Sequence, residues 1–181
     1  MKNVCIFILF ALLSAIGVQG ATEDDFVAQI MERVSKTPKN FPASEYENIT
    51  VGPAMIKSVL DMMGDEDNMD FLPGDNTNGM GELKEVLEDV KSLRMFIVKD
   101  KADKYNALVK QLFNKNKRIY KEFTASDQLG DNKHVYTRQS GNNVVEIVLV
   151  EEAAGENKSF QILDLTGSFS DGFFNKLMKI R

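Results

Sequence analysis

HVYTRQSGNNVVEIVLVE, residues 134–151, decides the fold. Apolar and polar side chains alternate with a period of two on both sides of Gly141-Asn142-Asn143. Alternation of that kind marks a strand, and a short Gly/Asn break between two such runs marks a hairpin. The expectation is therefore strands at 134–139 and 144–151. The same period continues outward to 118–123 and 160–166, across Gly130-Asp131-Asn132 and Gly155-Glu156-Asn157. Four consecutive antiparallel strands follow, a C-terminal meander.

Toward the N-terminus the period lengthens to that of a helix. Phe26, Val27, Ile30, Met31 and Val34 make one stripe over 23–35. Pro38 and Pro42 place a loop at 36–44, and Asn48-Ile49-Thr50-Val51 reads as a short strand. Gly52-Pro53 opens a second helix, since Pro in the first turn has no intrahelical bond to lose. Its face is Met55, Ile56, Val59, Leu60 and Met63. Residues 64–81 hold Asp65, Glu66, Asp67, Asp70 and Asp75 with no Lys or Arg, and read as an acidic loop. Leu83, Val86, Leu87 and Val90 then predict a helix from Glu82, and 93–98 a strand. Asp100 is the expected cap of a helix carrying Ala102, Tyr105, Val109, Leu112 and Phe113, and Ser170 that of a last helix carrying Phe173, Phe174 and Leu177. The order predicts one α+β domain, a mainly antiparallel sheet with helices packed on one face.

The first twenty residues read as an address. Lys2 precedes an uncharged, almost wholly apolar run at 4–18, and Gly17-Val18-Gln19-Gly20 puts small or modest residues before Ala21. This is the layout of a secretory signal peptide cleaved after residue 20. It leaves a domain at 21–181 with no membrane span. Cys5, the chain's single Cys, lies near the start of the apolar run, so no lipid anchor is expected and the mature domain has no Cys. With 181 residues and a net charge of −5, the chain is neither a disulfide scaffold nor a sequence-independent nucleic-acid binder, which needs a basic footprint.

Motifs that carry chemistry are few in this chain. Gly79-Met80-Gly81 lacks the third Gly and the Lys of a phosphate cradle. The Ser residues at 168 and 170 do not occupy the centre of a nucleophile elbow. A calcium loop begun at Asp65 fails at its fifth and sixth positions, Met69 and Asp70. No cofactor or metal is expected. Lys115, Lys117, Arg118 and Lys121 form a basic patch where a helix ends; cations there complement the helix dipole, and a phosphate or acidic-partner site is the alternative. One surface merits a binding hypothesis. If the strands align, Tyr120, His134, Tyr136, Arg138 and Glu146 share an outer sheet face mixing aromatic, cationic and acidic groups; a wet face with cross-strand ion pairs is the competing reading.

Ile49-Thr50-Val51-Gly52-Pro53-Ala54-Met55, the segment 83–113 and the tail Phe160-Gln161-Ile162-Leu163-Asp164-Leu165-Thr166-Gly167-Ser168-Phe169 follow the export signal. Together they resemble the exported bacterial domain-of-unknown-function family 4252, typical of Bacteroidetes. The resemblance implies an α+β domain in the envelope of a Gram-negative cell, periplasmic before extracellular. It supplies no activity and no catalytic residues. The expected role is a non-enzymatic interaction module for an envelope protein or peptide. The alternatives are a hydrolase using carboxylates such as Glu146 or Asp164, and a dimeric structural or assembly factor.

Overall fold

A computed structural model describes residues 25–64, 84–123, 132–152, 160–170 and 172–173. The expected signal segment, the expected acidic loop and most of the last expected helix lie outside them. Among the described residues the labelled elements are α1 (Phe26–Lys36), β1 (Tyr46–Val51), α2 (Pro53–Gly64), β2 (Val90–Val98), α3 (Ala102–Lys115), β3 (Tyr120–Glu122), β4 (Lys133–Ser140), β5 (Asn143–Glu151) and β6 (Phe160–Phe169), with a 3-10 turn at Ala43–Glu45 before β1.

The strands form one sheet in the order β1-β2-β6-β5-β4-β3, with every neighbouring pair antiparallel. The C-terminal four are the expected meander. Between β4 and β5 the turn is Gly141-Asn142, with Ser140 opposite Asn143. Gly141 takes φ +61°, which an L side chain adopts only under strain.

Helices cover both faces of the sheet, not one as the sequence pattern suggested. Phe96, Val98, Val148, Val150, Phe160 and Ile162 pack with residues of α1 and α3. The alternate residues Leu93, Met95, Ile147 and Leu165 pack with Ile56 of α2, Val86, Leu87 and Phe173. The central strands explain this arrangement. In β2 and β5 apolar residues stand at successive positions, 95–98 and 147–150, as a strand buried on both faces requires, whereas one wet face would demand strict alternation.

Three local expectations shift. The helical turn after the acidic loop stops at 87, and Val90 already belongs to β2. Asp100 does not cap α3: its carboxylate accepts from Lys101 N at 2.8 Å, and Lys101 enters the helix from the left-handed region at φ 56°. β6 runs on to Phe169, past the expected end at 166, because Gly167 lets the strand approach the chain before β2. A Cβ at Gly167 would lie 2.1 Å from the Asp89 carbonyl oxygen, which accepts from Ser168 N at 3.1 Å.

Candidate functional site

The sheet face under α1 and α3 carries a band of polar groups. It crosses Ser92 and Arg94 of β2, Asp164 and Thr166 of β6, Glu146 of β5, Arg138 of β4 and Tyr120 of β3. Register makes the band, because Arg94 pairs with Asp164, Thr166 with Glu146, Glu146 with Arg138 and Arg138 with Tyr120. Ser92 and Thr166 share a buried hydroxyl–hydroxyl hydrogen bond.

The first turn of α1 is seated on this band. A helix begins with backbone N–H groups that lack intrahelical partners and carry the positive end of the dipole. Three carboxylates meet them. Phe26 N donates to Glu146 Oε1 at 2.7 Å, Val27 N to Asp164 Oδ2 at 2.9 Å, and Ala28 N to Asp25 Oδ1 at 2.8 Å. Asp25 is the N-cap residue. Two arginines balance the carboxylates: Arg94 Nε lies 2.9 Å from Asp25 Oδ2, and Arg138 Nε donates to Glu146 Oε2. Tyr120 Oη donates to Glu146 at 3.0 Å.

This environment moves the titrations. Burial, then the neighbouring carboxylates of Glu146 and Asp25, push Asp164 well above the usual carboxylate range. Among the described residues no hydrogen-bond partner meets its Oδ1. Asp25 is also raised, by burial first, against the pull of its bond from Ala28 and of Arg94. Burial and Glu146 raise the Tyr120 phenol. Burial opposes the charge of Arg138 and is the largest single influence, yet the hydrogen bond to Glu146 and the charges of Glu146, Tyr120 and Asp164 together outweigh it and raise the guanidinium pKa.

Tyr120, Arg138 and Glu146 are thus brought together as expected, but not on an outer face. Glu146 is 0% exposed and Tyr120 4%. Tyr136 joins the aromatic packing, stacked on Phe113 with centroids 3.7 Å apart; Phe113 also stacks on Phe26 at 3.9 Å. His134 stands at the rim, with Nδ1 3.2 Å from Glu122 and Nε2 3.8 Å from Glu152. The covering layer is the physical reason: the stripes of α1 and α3 must be buried, and this face receives them. Asp25 and Arg94 were not singled out from the sequence. Their signals exist in hindsight, an Asp just ahead of an amphipathic run and a lone charge inside the apolar run 93–98.

Of the carboxylates named for a hydrolase, Glu146 and Asp164, the latter has the raised pKa that acid–base work can use, but neither faces a cleft. Both side chains lie closed under α1, where Glu146 Oε1 and Asp164 Oδ2 accept from backbone N–H groups. Among the described residues, no group of three His, Cys, Asp or Glu is arranged to hold a metal ion.

A second site opens on the other side of the helical layer. Between α1 and α3 lies a half-open groove of about 440 Å³. Arg33, Lys36, Lys104 and Lys115 line it, over Phe41, Leu108 and Leu112, and none of the lining residues is acidic. Lys104 is held in place by Asn40 O at 2.6 Å and by an ion pair to Glu45, and lies over the rings of Phe41 and Tyr105. Glu45 also receives Lys101 and the Tyr105 hydroxyl, and these partners hold its carboxyl down to about 2. The groove was not foreseen, although Lys115 belongs to the basic patch read from the sequence.

The family model described as Domain of unknown function (DUF4252) matches residues 43–177, most of the chain, so the chain belongs to that family. No curated protein and no solved structure matches it. Among the described residues no helix is long and apolar enough to cross a membrane.

Proposed function

We propose that this DUF4252 member is an exported, non-enzymatic binding module of the bacterial envelope that takes its ligand in the groove between α1 and α3. One observation carries the reading: a concavity of about 440 Å³ whose lining combines an apolar floor with four cations and no acid. Ligand sites are typically concave, mainly apolar, and supplied with a few oriented polar groups. The groove meets that description, whereas the polar band does not, since its groups are spent on seating α1. The leader at 1–20 supports delivery across the inner membrane, with the periplasm as the destination.

A photo-crosslinking amino acid at Gln111, in the groove, is compared with one at Ser58, on α2 across the sheet. The protein is expressed with its own leader and irradiated in intact cells. The reading predicts a processed chain beginning at Ala21, released by osmotic shock, with an adduct from position 111 and none from 58. An unprocessed cytoplasmic chain would contradict the export half. Adducts from 58 alone, or from neither position, would contradict the binding half.

A further inference from the structure

We propose that the groove ligand is a short, extended, acidic peptide segment of a partner protein; this rests on the groove being the binding site. The argument comes from how charge is distributed along the groove. Gln29 accepts from Asn116 Nδ2 at 2.9 Å and Asn40 O accepts from Lys104 Nζ at 2.6 Å, so the C-terminal end of α3 lies beside the first half of α1 and its first turn beside the segment that follows α1. Lys104 and Lys115, both lining residues, stand near opposite ends of α3. At the rise of a helix they are about 16 Å apart along its axis. Arg33 and Lys36, one turn apart on α1, line the facing wall. The positive charge is therefore strung along the groove instead of being gathered at one point.

A ligand with a single acidic head, such as a fatty acid, would answer one of these cations and leave the others facing its tail. An extended peptide fits the distribution better. Its rise of about 3.3 Å per residue puts about five residues in this length, and alternate side chains recur every 6–7 Å on one side. Acidic side chains at alternate positions reach the rim cations while the residues between them lie on Phe41, Leu108 and Leu112.

The cations differ in availability. Lys36 is paired with Glu32, both side chains being well exposed, and Lys104 is tied to Glu45. Arg33 and Lys115 make no ion pair among the described residues, although both lie within Coulombic range of Glu32. Glu32 is not a lining residue. Arg33 and Lys115 are thus the two guanidinium and ammonium groups left to meet a ligand, in a chain whose net charge is −5. A local cationic strip on an acidic protein selects its partner by charge complementarity and speeds the encounter.

The test selects from a random library of five-residue peptides on the purified processed protein, beside an Arg33→Glu/Lys115→Glu variant. Vesicles of phosphatidylglycerol and phosphatidylethanolamine form a parallel arm. Both altered side chains are exposed, so an unchanged unfolding midpoint verifies that the variant is folded. The inference predicts at least tenfold enrichment of peptides with acids at alternate positions over the variant, and loss of that enrichment in about 0.5 M salt. Equal enrichment by the variant, or selection of neutral or basic peptides, would overturn it. If no peptide is selected but vesicles bind the native chain and not the variant, the ligand is an anionic lipid: the peptide assignment fails while the groove remains the site. Failure of both arms overturns the groove reading as well.

Discussion

Glu146→Ala tests whether the polar band is a structural joint. The side chain accepts from Phe26 N, Tyr120 Oη and Arg138 Nε. Alanine leaves all three without this acceptor. Two of the donors belong to fully or almost fully buried residues, Phe26 at 0% and Tyr120 at 4% exposure, and each stranded buried donor costs about 1–3 kcal/mol. Arg138 keeps a 30% exposed side chain, so water relieves part of its loss. The sum is about 4 kcal/mol, within the range of about 3–5 kcal/mol for breaking one half of a buried ion pair. Glu146→Gln is the informative partner. Its amide oxygen still accepts from Phe26 and Tyr120, while the acceptor and the charge facing Arg138 are lost, for about 1.5–3 kcal/mol. Urea unfolding at neutral pH, followed by circular dichroism, gives both values. Hydrogen exchange at the Phe26 and Val27 amides then reads the seating of α1 directly. The alanine variant is expected to exchange at these amides before the rest of α1, whereas the glutamine variant keeps most of its protection. A loss below about 1 kcal/mol for alanine, or equal losses for the two variants, would refute the reasoning.

The pH profile should fall on both sides for different reasons. Asp164 holds its proton to higher pH when folded than when unfolded, so stability declines as pH rises from about 3.9 toward its raised native value and then levels. Asp164→Asn should remove much of that decline in a chemical-denaturation series. Glu45 behaves oppositely: held down to about 2 by Lys101 and Lys104, it contributes stability above the ordinary carboxylate range that is lost as pH falls below it. Glu45→Gln should flatten this acid limb. Gly167→Ala puts a Cβ against the Asp89 carbonyl, and a cost of about 3 kcal/mol is expected in the same denaturation assay. Phe113→Ala removes the ring stacked between Phe26 and Tyr136 and should cost about 3–5 kcal/mol, read as a lowered urea midpoint.

Much of this architecture was legible because it is local. The meander rests on alternation and on Gly/Asn turns within one stretch of chain, and each strand pairs with the next. The common direction of Tyr120, Arg138 and Glu146 was legible for the same reason, since a period of two assigns each residue to a face. What alternation does not contain is the layer that lies on each face. The consecutive apolar residues at 95–98 and 147–150 were the available sign that both are covered. α1 must bury Phe26, Val27, Ile30 and Val34, and its unpaired N–H groups need acceptors, so it lies over the one face that offers both an apolar floor and carboxylates. The groove escaped the sequence altogether. It exists because Arg33 and Lys115, far apart in the chain, are brought onto facing walls by the packing of α1 against α3.

The most direct measurement is amide chemical-shift mapping of the isotope-labelled, processed protein during titration with an acidic peptide selected as above. The account predicts shifts concentrated at 33–41 and 104–115, with the amides of Arg138, Glu146 and Asp164 unmoved. Shifts centred on those three residues, with α1 losing its exchange protection, would place the ligand on the sheet face and contradict the account.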